Sequence, residues 1–478
     1  MSLAFVDYVV LALYLAAMLA MGAILALRIK EFKDYFLAGG ALTTPLLLCS
    51  LVSTYYELDV TFATSERGFY DGLVAWFWWT RPYYLAIFIA AFLLVRRLRH
   101  FKFMTLPDVL ERYYGRPARV TGALACFIYS LPITAIAGMS AMFSALGWPR
   151  DIALSVIVGV CAIYTLSGGL WADSVTDTFQ FLLMCVSLAV TIPLALDMVG
   201  GFDFLAKLPA GHLTATGGVD VWLIVAWSTG ALTVFVEPAF YQRIFAAKDE
   251  KSIRNALLMG LVLWAAYDWG VTIVGMIARG AVESGILPAS LQGKEALMSV
   301  CMLALPVGLK GLFVAGVMAA AMSSVDSYSL LASGNLVYDI IRPVFKPDMS
   351  DKWLIRLTRA GVLVVMLLGV VISLWFERIS DAWVFMAAVL VSVVFIPMAG
   401  ALFLKPKRVS GILASGAGLA ALAGFYAAIY VMGVYDPEEE SYVWRAGSME
   451  IWREYSVLFA LPVSAAAFAL GEIWGKKR

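Results

Sequence analysis

Residues 319–329 read AAAMSSVDSYS and place Ser323, Ser324, Asp326 and Ser327 together inside a long apolar run. On a helix Ala320, Ser323, Ser324 and Ser327 are three and four positions apart and share one face, with Asp326 at its edge. Grouped hydroxyl and carboxylate oxygens are what a hard cation such as Na+ takes as ligands, as Ca2+ and Mg2+ do. A lone serine has a simpler use, bonding back to its own helix or letting a neighbour pack closely. The clustering in SSxDS favours the ion.

Other polar groups also interrupt apolar sequence, where a charge at membrane depth is costly and marks a functional candidate. SLVSTYYELDVTF (50–62) carries Ser53, Thr54, Glu57 and Asp59. Such a stretch makes a poor lipid-facing helix and suits one that breaks to line a cavity. The alternative is that Glu57 and Asp59 pair with Arg67 or Arg81. WADSVTDTFQF (171–181) sets Asp177 and Gln180 one turn apart, with Asp177 the deeper acid and a candidate for an ion-related role. Asp173 reads as an N-terminal acid answering the helix dipole. WFWWTRPYY (76–84) puts Arg81 and Pro82 among aromatics. Arg81 either holds a substrate carboxylate or neutralises Glu57. Asp268, between Tyr267 and Trp269, reads as a hydrogen-bonded buried acid. DPEEESY (436–442) reads as solvated surface.

The elements that must position these groups are membrane helices. Of 478 residues 62% are hydrophobic and only 14% charged, against roughly half apolar in soluble proteins. The apolar residues come in runs of about 20, enough to cross a hydrocarbon core of about 30 Å. The alternation of a β-barrel is missing. About 13 spans are expected, near 5–27, 44–66, 72–95, 119–146, 151–170, 174–199, 219–241, 254–282, 307–336, 354–376, 381–404, 410–433 and 453–474. Turn chemistry at GWPRD (147–151) and GG (200–201) separates some of them. No soluble domain fits between spans, and MSLAFVDYVV lacks the basic start of a cleaved signal.

Net charge is +1, so the total says nothing about nucleic acid, and no nucleic-acid partner is expected. Two histidines and five cysteines without CxxC spacing argue against a metal centre, haem or disulfides. No histidine cluster or nucleophile triad supports an enzyme. Lys and Arg collect in alternate loops: Arg28, Lys30 and Lys33; Arg96 to Arg116; Arg243, Lys248, Lys251 and Arg254; Arg342 to Arg356; Lys405, Lys407 and Arg408; and Lys476 to Arg478. By the positive-inside rule the N-terminus lies outside and the C-terminus in the cytoplasm.

At this level the chain resembles the sodium:solute symporter family. DYFLAGG (34–40), TLPDVLERYYG (105–115), SGGLWADSVTDTFQ (167–180), EPAFYQRIFAAKDEKSIR (237–254) and AAAMSSVDSYSLLAS (319–333) are similar to its motifs, in the same order. Gly40, Asp173 and Glu237 depart from the usual residues. The resemblance implies an all-α polytopic fold with a leucine-transporter-like core of two inverted five-helix repeats, 44–199 and 219–404. Helix 5–27 precedes that core and two helices in 410–474 follow it. It implies sodium-coupled import of a small organic solute across the cytoplasmic membrane by alternating access. The open alternatives are proton coupling through Asp177 or Asp326, or a transporter-like sensor.

By motif, Ser53 and Tyr56 would offer backbone carbonyls to sodium, Ala320 a carbonyl, and Ser323 and Ser324 hydroxyls. Asp177, Asp326 and Ser327 would serve a second cation, or one of the acids would carry a proton. Ser228, Thr229 and Gly230 mark the expected break in span 7. Substrate would meet Val60, Trp79, Pro82, Gly230 and Thr233, with Glu57, Asp59 and Arg81 leaning toward a carboxylate or amino-acid-like solute. Sugar-binding side chains are not matched there.

Overall fold

The computed structural model describes residues 3–25, 29–56, 58–98, 103–375, 379–436, 441–447 and 449–475. In chain order the helices are α1 (Phe5–Leu25), α2 (Phe32–Leu37), α3 (Thr44–Tyr55), α4 (Leu58–Asp71), α5 (Arg81–Leu98), α6 (Leu106–Tyr114), α7 (Arg116–Tyr129), α8 (Ile133–Ala145), α9 (Arg150–Met198) and α10 (Val221–Gly230). They continue as α11 (Pro238–Ala246), α12 (Glu250–Glu283), α13 (Ala296–Ala304), α14 (Leu309–Gly334), α15 (Arg342–Phe345), α16 (Asp351–Ser373), α17 (Ile379–Leu390), α18 (Ile396–Phe403), α19 (Arg408–Met432) and α20 (Ser456–Trp474). Among the described residues 11 helices are long and apolar enough to cross a membrane, or 12 if the bent pair α3–α4 is one span. The further expected span, 151–170, is helical as the first limb of α9 but is not among those 12.

The breaks have local causes. Tyr56 leaves the helix at φ −91° and ψ 52°, and α3 and the following limb meet at 52°. In α9 the two limbs turn at Gly169, φ 52°. Its conformation disfavours any Cβ, and a Cβ there would run into the Tyr35 backbone. The break in span 7 comes later than Ser228–Gly230. α10 runs to Gly230, tightens to a 3-10 turn over Ala231–Phe235, and restarts at Pro238, whose missing N–H costs nothing at a helix start. Span 4 is also interrupted, at Ser130–Pro132 between α7 and α8. π-helical turns occupy Ala75–Thr80, Asn335–Ile341 and Val391–Phe395.

α14 is the buried axis. Of its apolar window 83% is buried, against 28% for α1 and for α19, which therefore flank the bundle. Asp7 of α1 accepts from the Gly308 and Gly311 N–H groups at 2.7 and 2.8 Å, satisfying donors at the start of α14. α12 lies so close to α4 that a Cβ on Gly275 would strike the Ser65 carbonyl.

One feature departs from an all-helical reading. The connection from α19 to α20 forms a three-stranded antiparallel sheet, β1 (Val434–Asp436), β2 (Ser441–Ala446) and β3 (Met449–Trp452). Arg445 pairs with Asp436 and Glu450, each at 3.0 Å, so part of the acidic run is tied into structure. Residues 437–440 of that run lie outside the described residues.

Candidate functional site

The first cluster forms where the end of α3 crosses the middle of α14. Because α3 stops at Tyr55, Ser53 is among the residues whose carbonyls lose their place in the helical ladder. Ser323 Oγ lies 3.1 Å from that carbonyl and 3.0 Å from the Ala320 carbonyl. Ser324 Oγ lies 3.1 Å from the Ala320 carbonyl. All four residues are buried. Two carbonyls and two hydroxyls thus converge from two helices. Tyr56 stands at the break, its ring stacked on Tyr267 at 4.0 Å. Among the described residues no hydrogen bond joins it to α14.

One helical turn on, the geometry differs from the sequence expectation. Arg243 is not a loop cation: it lies in α11 and is fully buried. Its Nη2 is 2.8 Å from Thr54 Oγ1 and Ser327 Oγ, and 3.2 Å from Ser50 Oγ and Asp173 Oδ2. Ser327 donates to Asp173 at 2.7 Å. So Ser327 faces Asp173 and Arg243, where Asp177 was the expected partner. Asp173 does more than answer a helix dipole: it holds the only described ion pair to this guanidinium.

Asp177 accepts no hydrogen bond among the described residues. One Asp326 oxygen accepts from the Ser327 N–H at 2.8 Å, and the other accepts no hydrogen bond within normal distance among the described residues. Gln180 turns away, donating to Tyr14 Oη at 3.2 Å. Three buried acids, Asp173, Asp177 and Asp326, thus lie near one another, and among the described residues Asp173 alone pairs with the buried Arg243 guanidinium. Sequence reasoning missed Arg243 because charge counting assigned it to a loop. Pro238, which restarts the helix after the break, is the signal that would have placed it inside.

The second cluster is a cavity of about 720 Å3, its opening to solvent included, between α3, α4, α5, α7, α12, α14 and α17. Of the expected substrate residues, Val60, Trp79 and Thr233 line it. Gly230 acts from behind: a Cβ there would lie 2.6 Å from Tyr83 Oη and 2.8 Å from the Trp383 ring. Pro82 is not in the lining. Arg81 is exposed, over Trp76 and Phe77 at 5.7 and 5.6 Å. Glu57 and the side chain of Asp59 lie outside the described residues. Arg67 pairs with Asp71 at 3.4 Å and lies over Trp227 at 4.9 Å.

Most of the wall was not foreseen. It is made of Tyr and Trp from α3 and its break, the Ala75–Thr80 turn, α5, α7, α12, α14 and α17, with Asp268 as the one acid among the described residues. Tyr84 donates to Asp268 Oδ2, while Oδ1 has no partner among the described residues. Asp268 is thus a half-satisfied acid in a cavity wall.

The family model described as sodium:solute symporter family matches residues 35–424. The chain is 24% identical to the osmoregulated proline transporter OpuE of Bacillus subtilis (strain 168), over 76% of this chain and 77% of that one. It is 26% identical to the high affinity choline transporter 1 of Homo sapiens, over 73% of this chain and 63% of that one. Among solved structures, a Na+-coupled sialic acid symporter in a substrate-bound outward-open state superposes with a TM-score of 0.81 at 19% identity, covering 99% and 98% of the two chains. The fold is that of the leucine-transporter-like carriers, and the protein is a multi-pass sodium-coupled symporter of a small organic solute, not an enzyme. The chain belongs to the sodium:solute symporter family.

Proposed function

We propose that one sodium ion binds between α3 and α14, held by the Ser53 and Ala320 carbonyls and the Ser323 and Ser324 hydroxyls, and that this ion sets the carrier's conformational equilibrium. The convergence of those four oxygens at a helix break carries the reading. Sodium prefers oxygen ligands, and at this point the protein offers oxygens on two separate elements. Tyr56 completes the set if its carbonyl turns inward when the ion binds. The ion pins α3 to α14 in an outward-facing state and arranges the cavity, to which Tyr55 and Tyr56 of the same break contribute.

Alternating access follows when the loaded carrier rocks inward and sodium leaves. An interior 100 mV negative supplies about 2.3 kcal/mol for each charge that enters. Coupling requires only that sodium bind the two states unequally. The moving units are the inverted repeats 44–199 and 219–404, with the N-terminus outside and the C-terminus in the cytoplasm of a cell's inner membrane. Asp177 and Asp326, which share no cation among the described residues, take up a second positive charge, with Ser327 holding Asp326 in place. The relatives' names span an amino acid and choline, so an amino-acid-like solute is compatible with kinship. The carboxylate part of that expectation has no support from Arg81, which stands apart from the cavity.

The test needs no known solute. Purified carrier is melted in rising NaCl, with KCl keeping ionic strength constant. Wild type gains stability with a saturable sodium dependence, and Ser323→Ala/Ser324→Ala shifts the half-point at least about tenfold, the loss of two ligand oxygens. Equal half-points in the two proteins would remove the site assignment.

A further inference from the structure

We propose that the solute is an organic cation with an alkylated ammonium head, seated in the aromatic cavity against Asp268. The inference rests on the sodium-symport reading and narrows its unknown half. Nine of the fifteen lining residues are Tyr or Trp, and Lys, Arg and His are absent from the lining among the described residues. Aromatic faces attract a cation, more so when it has shed its water. Trp383 touches Trp79 with ring centres 5.5 Å apart and Tyr83 at 6.0 Å. Tyr55 packs on Trp264 at 5.7 Å. These are tilted or edge contacts rather than sealed stacks, and they leave ring faces for a guest.

The charge balance points the same way. Asp268 lies in the middle of α12 and is 4% exposed. Tyr84 satisfies one of its oxygens. The other meets no donor among the described residues, and an unpaired buried carboxylate is costly. A cation in the cavity completes it. An anionic solute would meet that carboxylate with no positive lining residue to offset it.

Thr80 and Thr233 already donate to the Trp76 and Gly230 carbonyls, at 3.2 and 2.8 Å. An alkylated ammonium needs only ring faces and a counter-charge. Trp264 Nε1 and Tyr56 Oη, both without partners among the described residues, suit one oxygen acceptor on the remainder of the solute.

The experiment measures ligand-dependent melting and tryptophan quenching of the detergent-purified carrier in saturating sodium. The probes are tetramethylammonium, choline, the uncharged choline isostere 3,3-dimethylbutanol, proline and sialic acid. Tetramethylammonium and choline bind, and the uncharged isostere, proline and sialic acid bind at least about tenfold more weakly, as loss of a desolvated cation–π contact implies. Asp268→Asn abolishes choline binding while its sodium half-point stays at the wild-type value. Trp383→Leu, which keeps the acid, weakens choline about tenfold and serves if Asp268→Asn does not fold. Equal binding of choline and its uncharged isostere overturns the proposal, as does tighter binding of proline or sialic acid. A lost sodium titration in wild type instead overturns the sodium site and leaves this comparison of probes readable.

Discussion

At the break after α3, Ser53 faces α14 while Tyr55 and Tyr56, two and three residues on, line the aromatic cavity. The two regions are neighbours built from different materials. The proposed ion cluster uses backbone carbonyls and short hydroxyls from two helices, beside a buried guanidinium paired with Asp173. The cavity uses large rings from several helices and, among the described residues, a single carboxylate. Small rigid oxygens suit a small ion whose ligands must close to fixed distances. Broad ring faces suit an organic guest, and changing a few rings changes which guest fits. The proposed ion site and the cavity can therefore change independently. The shared break joins them: anything that orders residues 53–56 for one region orders them for the other.

The severest way to break the contrast is to remove Arg243. Arg243→Ala leaves Asp173 buried and unpaired beside Asp177 and Asp326, a loss of about 3–5 kcal/mol for breaking a buried pair. The melting temperature should fall steeply in differential scanning fluorimetry. Adding Asp173→Asn to the same chain should recover part of the loss. No recovery would mean that Arg243 acts through its hydroxyl partners alone.

Next comes the cross-comparison of Ser323→Ala/Ser324→Ala with Asp268→Asn. The first should move the sodium half-point at least about tenfold with the solute's rank order intact, and the second should do the reverse. Variants that each moved both quantities equally would erase the distinction between the regions.

Asp177→Asn is expected to act more gently. If Asp177 and Asp326 share a second cation, sodium dependence of transport current should lose its cooperativity, its Hill coefficient falling toward one, while the main half-point changes by no more than about threefold. An unchanged coefficient would reduce Asp177 to a structural acid.

The smallest effect belongs to Arg81. Exposed against Trp76 and Phe77, it should tolerate Arg81→Gln with solute affinity within about twofold, the loss of an exposed cation–π contact. A tenfold loss would restore the carboxylate-binding role its sequence context suggested.

The fold was legible because its determinants are local. Apolar length gives the spans, and Pro238 and Gly169 mark turns a helix cannot pass. The α14 half of the proposed ion site was legible for the same reason: Ala320, Ser323 and Ser324 are one helical turn apart, and any helix must bring them together. Arg243 was hidden because positive charge near a span end usually means a loop, and only tertiary packing carries it inward to Asp173. The cavity was hidden for a further reason. Tyr83, Trp264 and Trp383 look like ordinary membrane aromatics along the chain, and their convergence on Asp268 depends on how α5, α12 and α17 pack. The small sheet β1–β3 was masked by acidic composition that reads as solvated surface.

Equilibrium binding of radioactive sodium to purified carrier tests the central claim most directly, because it bypasses the solute. Wild type and Asp268→Asn should bind sodium with the same saturable affinity, while Ser323→Ala/Ser324→Ala should lose that component at matched concentrations. Wild-type binding retained in the double-serine variant would contradict the account and move the ion away from α3 and α14.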